Sequence, residues 1–265
     1  MKKLVLTLAL LLPLAAAAQT EVGGGARLSV GADYKITKGL HVNFEEEVRV
    51  SGVFQGLNRL QTTVGVEYKV GKFIKLGLGY TLINPYNSVD RQFNSVRHRA
   101  FFDIGAHYTV NNFTFSLRER LQYTHRTGTF NVYQTNPNAL VLKSRVGVEY
   151  KGWTYFEPGM FFELRTALNE PWGETSGELK TKDDGTTYYD YTPLGYNHPI
   201  YNNRYRFIFR TDIKLSRHHI LKPYALLDIC NPHVIDTNAK GTRLFYDGYV
   251  KSLDVIIGIK YTFKF

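Results

Sequence analysis

Apolar and polar residues alternate along most of the chain, in short segments separated by polar turns. Residues 257–265 show the pattern most clearly, because the odd positions are Ile, Ile, Tyr, Phe and Phe and the even positions are Gly, Lys, Thr and Lys. Successive side chains of a β-strand point to opposite faces of a sheet, so this period of two predicts strands with one apolar face. The pattern therefore indicates an all-β protein.

A Gly-x-x-Tyr unit followed by Lys or Thr recurs in five of these segments. It occupies residues 31–35, 65–69, 105–109, 147–151 and 258–262. Each copy comes just before a short turn or the end of the sequence. We therefore expect the five strands that carry it to run in the same direction.

The predicted strands are joined by short turns and longer connections in alternation. The short turns fall at residues 37–39, 71–72, 111–112, 152–153 and 216–219, and the long connections include 125–138 and 167–202. Outer-membrane barrels combine short periplasmic turns with longer extracellular loops, and tilted strands of about 10 residues cross the bilayer. We therefore predict a transmembrane antiparallel up-and-down β-barrel of 10–12 strands.

The strand count leaves alternatives open at both ends of the chain. If the first and last strands run the same way, the count is odd and near 11, unless residues 243–250 add a crossing or residues 19–35 depart from a regular first strand. Pro158 and Pro223 fall inside predicted strands, where each removes a backbone donor, so β-bulges are expected there.

The first residues have the pattern of a secretory signal peptide. Lys2 and Lys3 precede an apolar run at residues 4–14, and the alanines at residues 15–18 are small enough for a cleavage site. This predicts a signal peptide at residues 1–18 and a single barrel domain at residues 19–265, exported to the outer membrane of a Gram-negative bacterium.

The tyrosines of the repeated unit have an expected role at the membrane surface. Each lies on the apolar face beside a short turn or the end of the sequence, where a ring can bury its body and keep its hydroxyl in water. The predicted periplasmic girdle consists of Tyr34, Tyr68, Tyr108, Tyr150 and Tyr261. The last aromatic positions, Tyr261, Phe263 and Phe265, resemble the signal that the barrel-assembly machinery reads during insertion.

Several short motifs point to a known family. Residues 45–49 read Glu-Glu-Glu-Val-Arg, residues 203–206 read Asn-Arg-Tyr-Arg, and Gly-x-Glu-Tyr-Lys strands and a Tyr-x-Phe-x-Phe terminus accompany them. In these motifs the sequence resembles small outer-membrane barrels of Bacteroidetes known as domain of unknown function 2490. The resemblance implies an outer-membrane barrel over essentially the whole exported chain, and it implies no activity.

Basic residues on the predicted inward face are the main candidates for function. An Arg or Lys that faces lipid costs about 2–4 kcal/mol at the bilayer midplane, which favours placing these residues in the lumen. The predicted lumen-lining set is Arg49, Lys75, Arg97, Arg99, Arg118, Arg120, Arg145, Arg204, Arg206 and Arg210. Lys143 and Lys260 have the same strand phase.

Two hypotheses follow for this basic lumen. Guanidinium groups suit carboxylates and phosphates, so the leading hypothesis is a small porin-like channel that favours anionic solutes. The alternative is a non-conducting barrel whose charges pair across strands and fill the interior. Such a barrel is structural, or it binds a ligand or partner through the aromatic-rich extracellular loop 167–202.

Catalytic and metal chemistry have little support in the sequence. The His-x-Ser pair of barrel lipid hydrolases is absent, and the nearest arrangement is His107 with Thr109. No Gly-x-Ser-x-Gly motif occurs, and His218 and His219 lie in a predicted turn. We therefore expect no enzyme activity, no catalytic residue, no cofactor and no metal.

The net charge of +10 raises the question of nucleic acid. The basic residues alternate with apolar ones along strands and do not cluster on a helix or tail, so we expect no nucleic-acid partner. The expected partners are outer-membrane lipids and lipopolysaccharide, the barrel-assembly machinery during insertion, and small anionic solutes.

Overall fold

The alternating segments form strands in the computed structural model, which describes residues 21–52 and 56–265. The strands in these ranges are β1 (Glu21–Thr37), β2 (Leu40–Ser51), β3 (Gly56–Val70), β4 (Ile74–Asn87), β5 (Gln92–Phe93), β6 (Arg97–Val110), β7 (Phe113–Arg126), β8 (Asn138–Tyr150), β9 (Phe156–Ala167), β10 (Trp172–Thr181), β11 (Thr187–Gly195), β12 (Tyr201–Lys214), β13 (His219–Cys230), β14 (His233–Thr237), β15 (Arg243–Tyr249) and β16 (Ser252–Lys264). No helix in the same ranges has the length and apolarity that a membrane crossing requires. The predicted signal peptide at residues 1–18 lies outside the described residues.

Eleven of the strands close into a barrel. Their order around the wall is β3-β2-β1-β16-β13-β12-β9-β8-β7-β6-β4, and the pairing of β3 with β4 completes the circle. β1 and β16 pair in parallel, with Val30 opposite Tyr261, whereas β1 and β2 pair antiparallel. The barrel is therefore mixed and not wholly antiparallel as predicted. The odd count requires this, because the first and last strands then run the same way.

The alternatives left open by the strand count are settled by the barrel wall. Residues 243–249 form β15, which lies outside the barrel, and β1 is a regular first strand. The predicted bulges at Pro158 and Pro223 were wrong, because the register on either side of each proline is continuous. Pairing of β12 with β13 lapses beside Pro223 and resumes without a shift.

The two ends of the barrel differ in the length of their connections. At the turn end, the strands are joined by residues 38–39, 71–73, 111–112, 151–155 and 215–218. At the opposite loop end, the connections include residues 88–96, 127–137, 168–200 and 231–251. The predicted alternation of short and long connections is thus present from β3 to β16.

The two longest connections pair with each other in a second sheet at the loop end. Its strand order is β10-β11-β15-β14, and we call it the loop sheet. Tyr191, Ile235 and Leu244 form its buried core, with Tyr189 packed against them. The segment 167–202 is therefore an ordered hairpin with a partner, not an isolated loop.

The barrel wall is apolar outside and polar inside. Leu28 and Leu78 on the outer face are 58% and 63% exposed, whereas Ser29 and Asp228 on the inner face are 1% exposed. Exposed apolar residues and buried polar ones reverse the usual arrangement of a water-soluble domain. Glu46 is an exception, because it is exposed on the outer face. The polar and charged side chains consequently meet in the lumen.

Candidate functional site: the barrel lumen

The lumen contains two cavities, one toward each end. The larger, at the loop end, has a volume of about 1080 Å³. The smaller, at the turn end, has a volume of about 340 Å³. Pockets that hold small ligands usually measure about 300–1,000 Å³, so the loop-end cavity is large enough for a small solute.

Each of the ten predicted basic residues lines one of these cavities. The loop-end cavity contains Arg49, Arg97, Arg99, Arg204 and Arg206. The turn-end cavity contains Lys75, Arg118, Arg120, Arg145 and Arg210. The structure therefore brings the predicted set together inside the barrel, divided into two groups of five.

Four further arginines line the loop-end cavity outside the predicted set. They are Arg27, Arg59, Arg126 and Arg165. The apolar alternation that identifies strands begins at Leu60 and fades after Thr124, whereas β3 begins at Gly56 and β7 ends at Arg126. The strands thus continue past their apolar segments at Arg59 and Arg126, whereas Arg27 and Arg165 lie within predicted strands. Arg126 would have been found by continuing the alternation of inward-facing residues two positions beyond Thr124.

The loop-end cavity carries a large excess of positive charge. Nine arginines and Lys143 line it, against the three carboxylates Glu163, Asp228 and Asp254. Arginine is always protonated in proteins and presents donors in a planar fork. An anion in this cavity would therefore meet donors on several strands.

Arg206 is the centre of a well-satisfied ion-pair network. Its Nε donates to Asp228 Oδ1 at 2.5 Å, and its Nη2 donates to Asp228 Oδ2 at 2.7 Å. Its Nη1 lies 3.3 Å from Glu163 Oε1. Arg118 Nη2 donates to the other Glu163 oxygen at 2.9 Å. These paired groups are fixed by bidentate geometry and have little capacity left for a solute.

The Phe161 ring lines the wall at the turn-end cavity. Phe161 lies directly opposite Gly147, and its ring occupies the place where a Cβ on that glycine would project. The Arg145 and Arg210 guanidinium carbons lie 5.2 and 4.7 Å from the centre of the Phe161 ring. Arg210 Nη2 also donates to Glu149 Oε1 at 2.5 Å. Cation–π contacts and ion pairs therefore hold these arginines against the wall.

The ion pairs follow the barrel wall. Arg118 on β7 reaches Glu163 on β9, and Lys260 on β16 reaches Glu45 on β2, so each pair skips one strand. Among the described side chains, every barrel ion pair lies within one strand, between neighbouring strands, or between two strands separated by a single strand. None of these pairs connects opposite walls, so the ion pairs do not cross the axis of the lumen.

His107 is the residue nearest to a catalytic arrangement. It lies directly opposite Ser116, and both line the turn-end cavity. No hydrogen bond joins the two side chains in the described structure, so the serine lacks a hydrogen-bonded base. Within residues 21–52 and 56–265, no group of three His, Cys, Asp or Glu side chains could hold a metal ion.

The five girdle tyrosines lie at the turn end on the outer face. Tyr34, Tyr68 and Tyr108 are all exposed. The Tyr34 ring packs edge-on against the Phe265 ring across the parallel seam of β1 and β16, with 5.9 Å between the ring centroids. The centroids of the Phe263 and Phe265 rings lie 4.5 Å apart. The predicted girdle and the predicted insertion signal thus lie at the same end of the barrel and meet at this seam, and we call them together the aromatic band.

The aromatic residues of segment 167–202 largely make contacts within the loop end. Burial, together with nearby Asp247, raises the pKa of Tyr191. The Tyr201 hydroxyl donates to Glu170 Oε2 at 2.6 Å and accepts from the His233 backbone N–H at 2.7 Å. These rings therefore support the loop sheet and are less available for a partner than the sequence suggests.

Comparison with known proteins gives one family. Residues 25–229 match the sequence profile of a family described as Protein of unknown function (DUF2490). The matched range begins in β1 and ends in β13, so β14, β15 and β16 lie beyond it. A search of curated proteins finds no match.

Proposed function

The chain belongs to the family described as Protein of unknown function (DUF2490), and we propose that it is an outer-membrane channel for small anionic solutes. The observation that carries this proposal is the loop-end cavity, where ten cationic side chains face three carboxylates. Pores lined by arginine and lysine attract anions and repel cations. The lumen therefore has the charge that anion passage requires.

The outer face supports the membrane location. Leu28, Leu78 and Ile257 are more than half exposed, and large exposed apolar surfaces usually mark contact with a membrane or with another protein. The proposed location is the outer membrane of a Gram-negative bacterium of the Bacteroidetes. There the outer face would contact lipids and lipopolysaccharide, and the aromatic band with Phe263 and Phe265 would be read by the barrel-assembly machinery.

The proposal can be tested by recording purified, refolded protein in planar bilayers. Under a tenfold gradient of KCl, the sign of the reversal potential should show that chloride passes more readily than potassium. Arg99→Gln should reduce that preference, because Arg99 lines the loop-end cavity. Arg217→Gln is the matched control, because Arg217 is exposed in a turn between β12 and β13. A cation preference, or no current from folded inserted protein, would refute the channel.

A non-conducting barrel that binds a partner through segment 167–202 is the second candidate. The observation that favours it is the loop sheet, in which Leu179 and Leu194 are exposed apolar residues. A rigid sheet presents such residues more effectively than a loop does. Protein that inserts, shows the gel mobility of a folded barrel and carries no current would support this candidate.

A further inference from the structure

Seven cations of the loop-end cavity have no carboxylate within 4.0 Å among the described side chains. They are Arg27, Arg59, Arg97, Arg99, Arg126, Lys143 and Arg165. Buried charges are normally paired, because an unpaired charge loses hydration without compensation. The Nε atoms of Arg126 and Arg204 are buried and have no hydrogen-bond partner in the described structure. The cavity thus has more donors than the protein satisfies.

The strand register places several of these cations directly opposite one another. Arg49 on β2 lies between Arg27 on β1 and Arg59 on β3. We call these three residues the first cationic row. Like charges directly opposite in a sheet are destabilising. A row of three along adjacent strands therefore has no explanation in the stability of the fold.

A second cationic row repeats the arrangement on another part of the wall. Arg165 on β9 lies between Lys143 on β8 and Arg204 on β12. In the order around the barrel, β2 and β9 are five strands apart in one direction and six in the other. The two rows therefore face each other across the loop-end cavity, as near to diametrically opposite as eleven strands allow.

We infer that the two cationic rows form a binding site for compact polyvalent anions, such as a polyphosphate or a polycarboxylate. A monovalent anion can accept from one row at a time, whereas an anion with several charged groups can accept from both rows at once. Arginine forks match the paired oxygens of phosphate and carboxylate. The inference rests on the proposed function, which places the solute pathway in the lumen. It adds that the lumen prefers polyvalent anions to monovalent ones.

The turn-end half of the lumen provides the contrast. There Arg120 donates to both Asp103 oxygens at 2.6 Å, and Arg210 pairs with Glu149 and Asp212. Arg145 there has no carboxylate partner among the described side chains, but it lies over the Phe161 ring. Cations that are held by carboxylates or by a ring offer little to a solute. A polyvalent anion should consequently stay at the loop-end rows and not at the turn end.

The test is calorimetric titration of the full exported chain, refolded in an uncharged detergent, with inorganic pyrophosphate as the probe. Acetate at matched ionic strength is the monovalent comparator. Saturable pyrophosphate binding is expected, with acetate at least tenfold weaker. The double variant Arg27→Gln/Arg165→Gln, which takes one cation from each row, should weaken pyrophosphate binding about tenfold or more for each removed cation. Arg217→Gln is the control and should change it less than twofold.

The chosen arginines have no ion-pair partner, so their removal leaves no carboxylate unpaired. Heat-modifiable gel mobility checks that each variant is folded, and Lys143→Gln replaces the double variant if that protein does not refold. Absence of saturable pyrophosphate binding, equal binding of acetate, or equal affinity in the cavity variant and the control would overturn the inference. Anion current without pyrophosphate binding would support the proposed channel and exclude the proposed binding site. Pyrophosphate binding without current would support the binding site and exclude the channel.

Discussion

Leu28→Arg is the substitution that most directly tests whether the outer face contacts lipid. Leu28 is 58% exposed, and its cross-strand neighbours are Val48 and Ile259. It lies six residues from Tyr34 in the aromatic band. At about 3.3 Å per residue and a strand tilt of about 40°, this separation is roughly 15 Å along the membrane normal. Leu28 is therefore expected near the midplane of the hydrocarbon layer.

The expected cost follows from that depth. An arginine at the midplane of a membrane barrel costs about 2–4 kcal/mol, whereas the cost near the interface is about 0–1 kcal/mol. On a water-exposed surface the same change is usually within about 0.5 kcal/mol. Leu28→Arg should therefore lower the folding equilibrium constant in lipid by a factor of roughly 30 to 700. Ile36→Arg is the matched control, on the same strand and face but beyond Tyr34.

The assay is reversible urea unfolding from phosphatidylcholine vesicles, followed by tryptophan fluorescence and by gel mobility. The two tryptophans, Trp153 and Trp172, lie near opposite ends of the barrel and report on both. The free energies of unfolding of the two variants should differ by at least about 1 kcal/mol, with Leu28→Arg the less stable. Equal values for both variants would refute the reasoning, because depth in the membrane would then be irrelevant.

Two further substitutions test what holds the lumen together, and both are read by the same unfolding assay. Gly147→Ala should destabilise by about 1–3 kcal/mol, because the new methyl group would overlap the Phe161 ring. In contrast, Gly105→Ala should be neutral, because its nearest neighbour would lie 3.7 Å away; equal effects would show that the ring moves freely. Asp228→Asn should cost about 3 kcal/mol, because Arg206 loses its bidentate partner. Asp190→Asn, which removes an exposed pair with Lys180, should leave stability unchanged, and a similar loss in both would exclude a special role for Asp228.

The barrel could be predicted from sequence because its strands have a strong local pattern. Alternation assigns each residue to one face, and the Gly-x-x-Tyr unit orients five strands without any tertiary information. The odd strand count followed from that unit. An odd count also implies that β1 and β16 pair in parallel, and the prediction of a wholly antiparallel barrel was inconsistent with it.

The loop sheet could not be predicted in the same way. Tyr189 on β11 pairs with Leu244 on β15, and a long stretch of barrel separates them in the chain. Neither segment alternates strongly, because only a small core around Tyr191 and Ile235 is buried. Non-local pairing of this kind is decided by closure of the barrel, which brings both connections to one end.

The cationic rows show a different limit of sequence reasoning. Alternation identifies Arg49 and Arg165 as polar-face residues, but it does not say which residues lie opposite them. Register depends on turn length and bulges, and a shift by one residue would move a side chain to the other face. The shift between Arg49 and Val50 in the β2–β3 ladder illustrates this, because it occurs beside the Arg49–Arg59 pair.

The two halves of the lumen divide stability and recognition between them. At the turn end, ion pairs such as Arg120 with Asp103, and the stacking of arginines on Phe161, hold the wall rigid. At the loop end, opposed cations weaken the wall, and closure of the barrel tolerates the cost because all eleven strands remain paired. Under the proposed function, an anion entering from the loop end would meet the two cationic rows first. It would then have to compete with Glu163 and Asp228 for the arginines further along. Strong capture followed by slow transfer should therefore give a channel of small conductance, whose current polyvalent anions block more readily than chloride does.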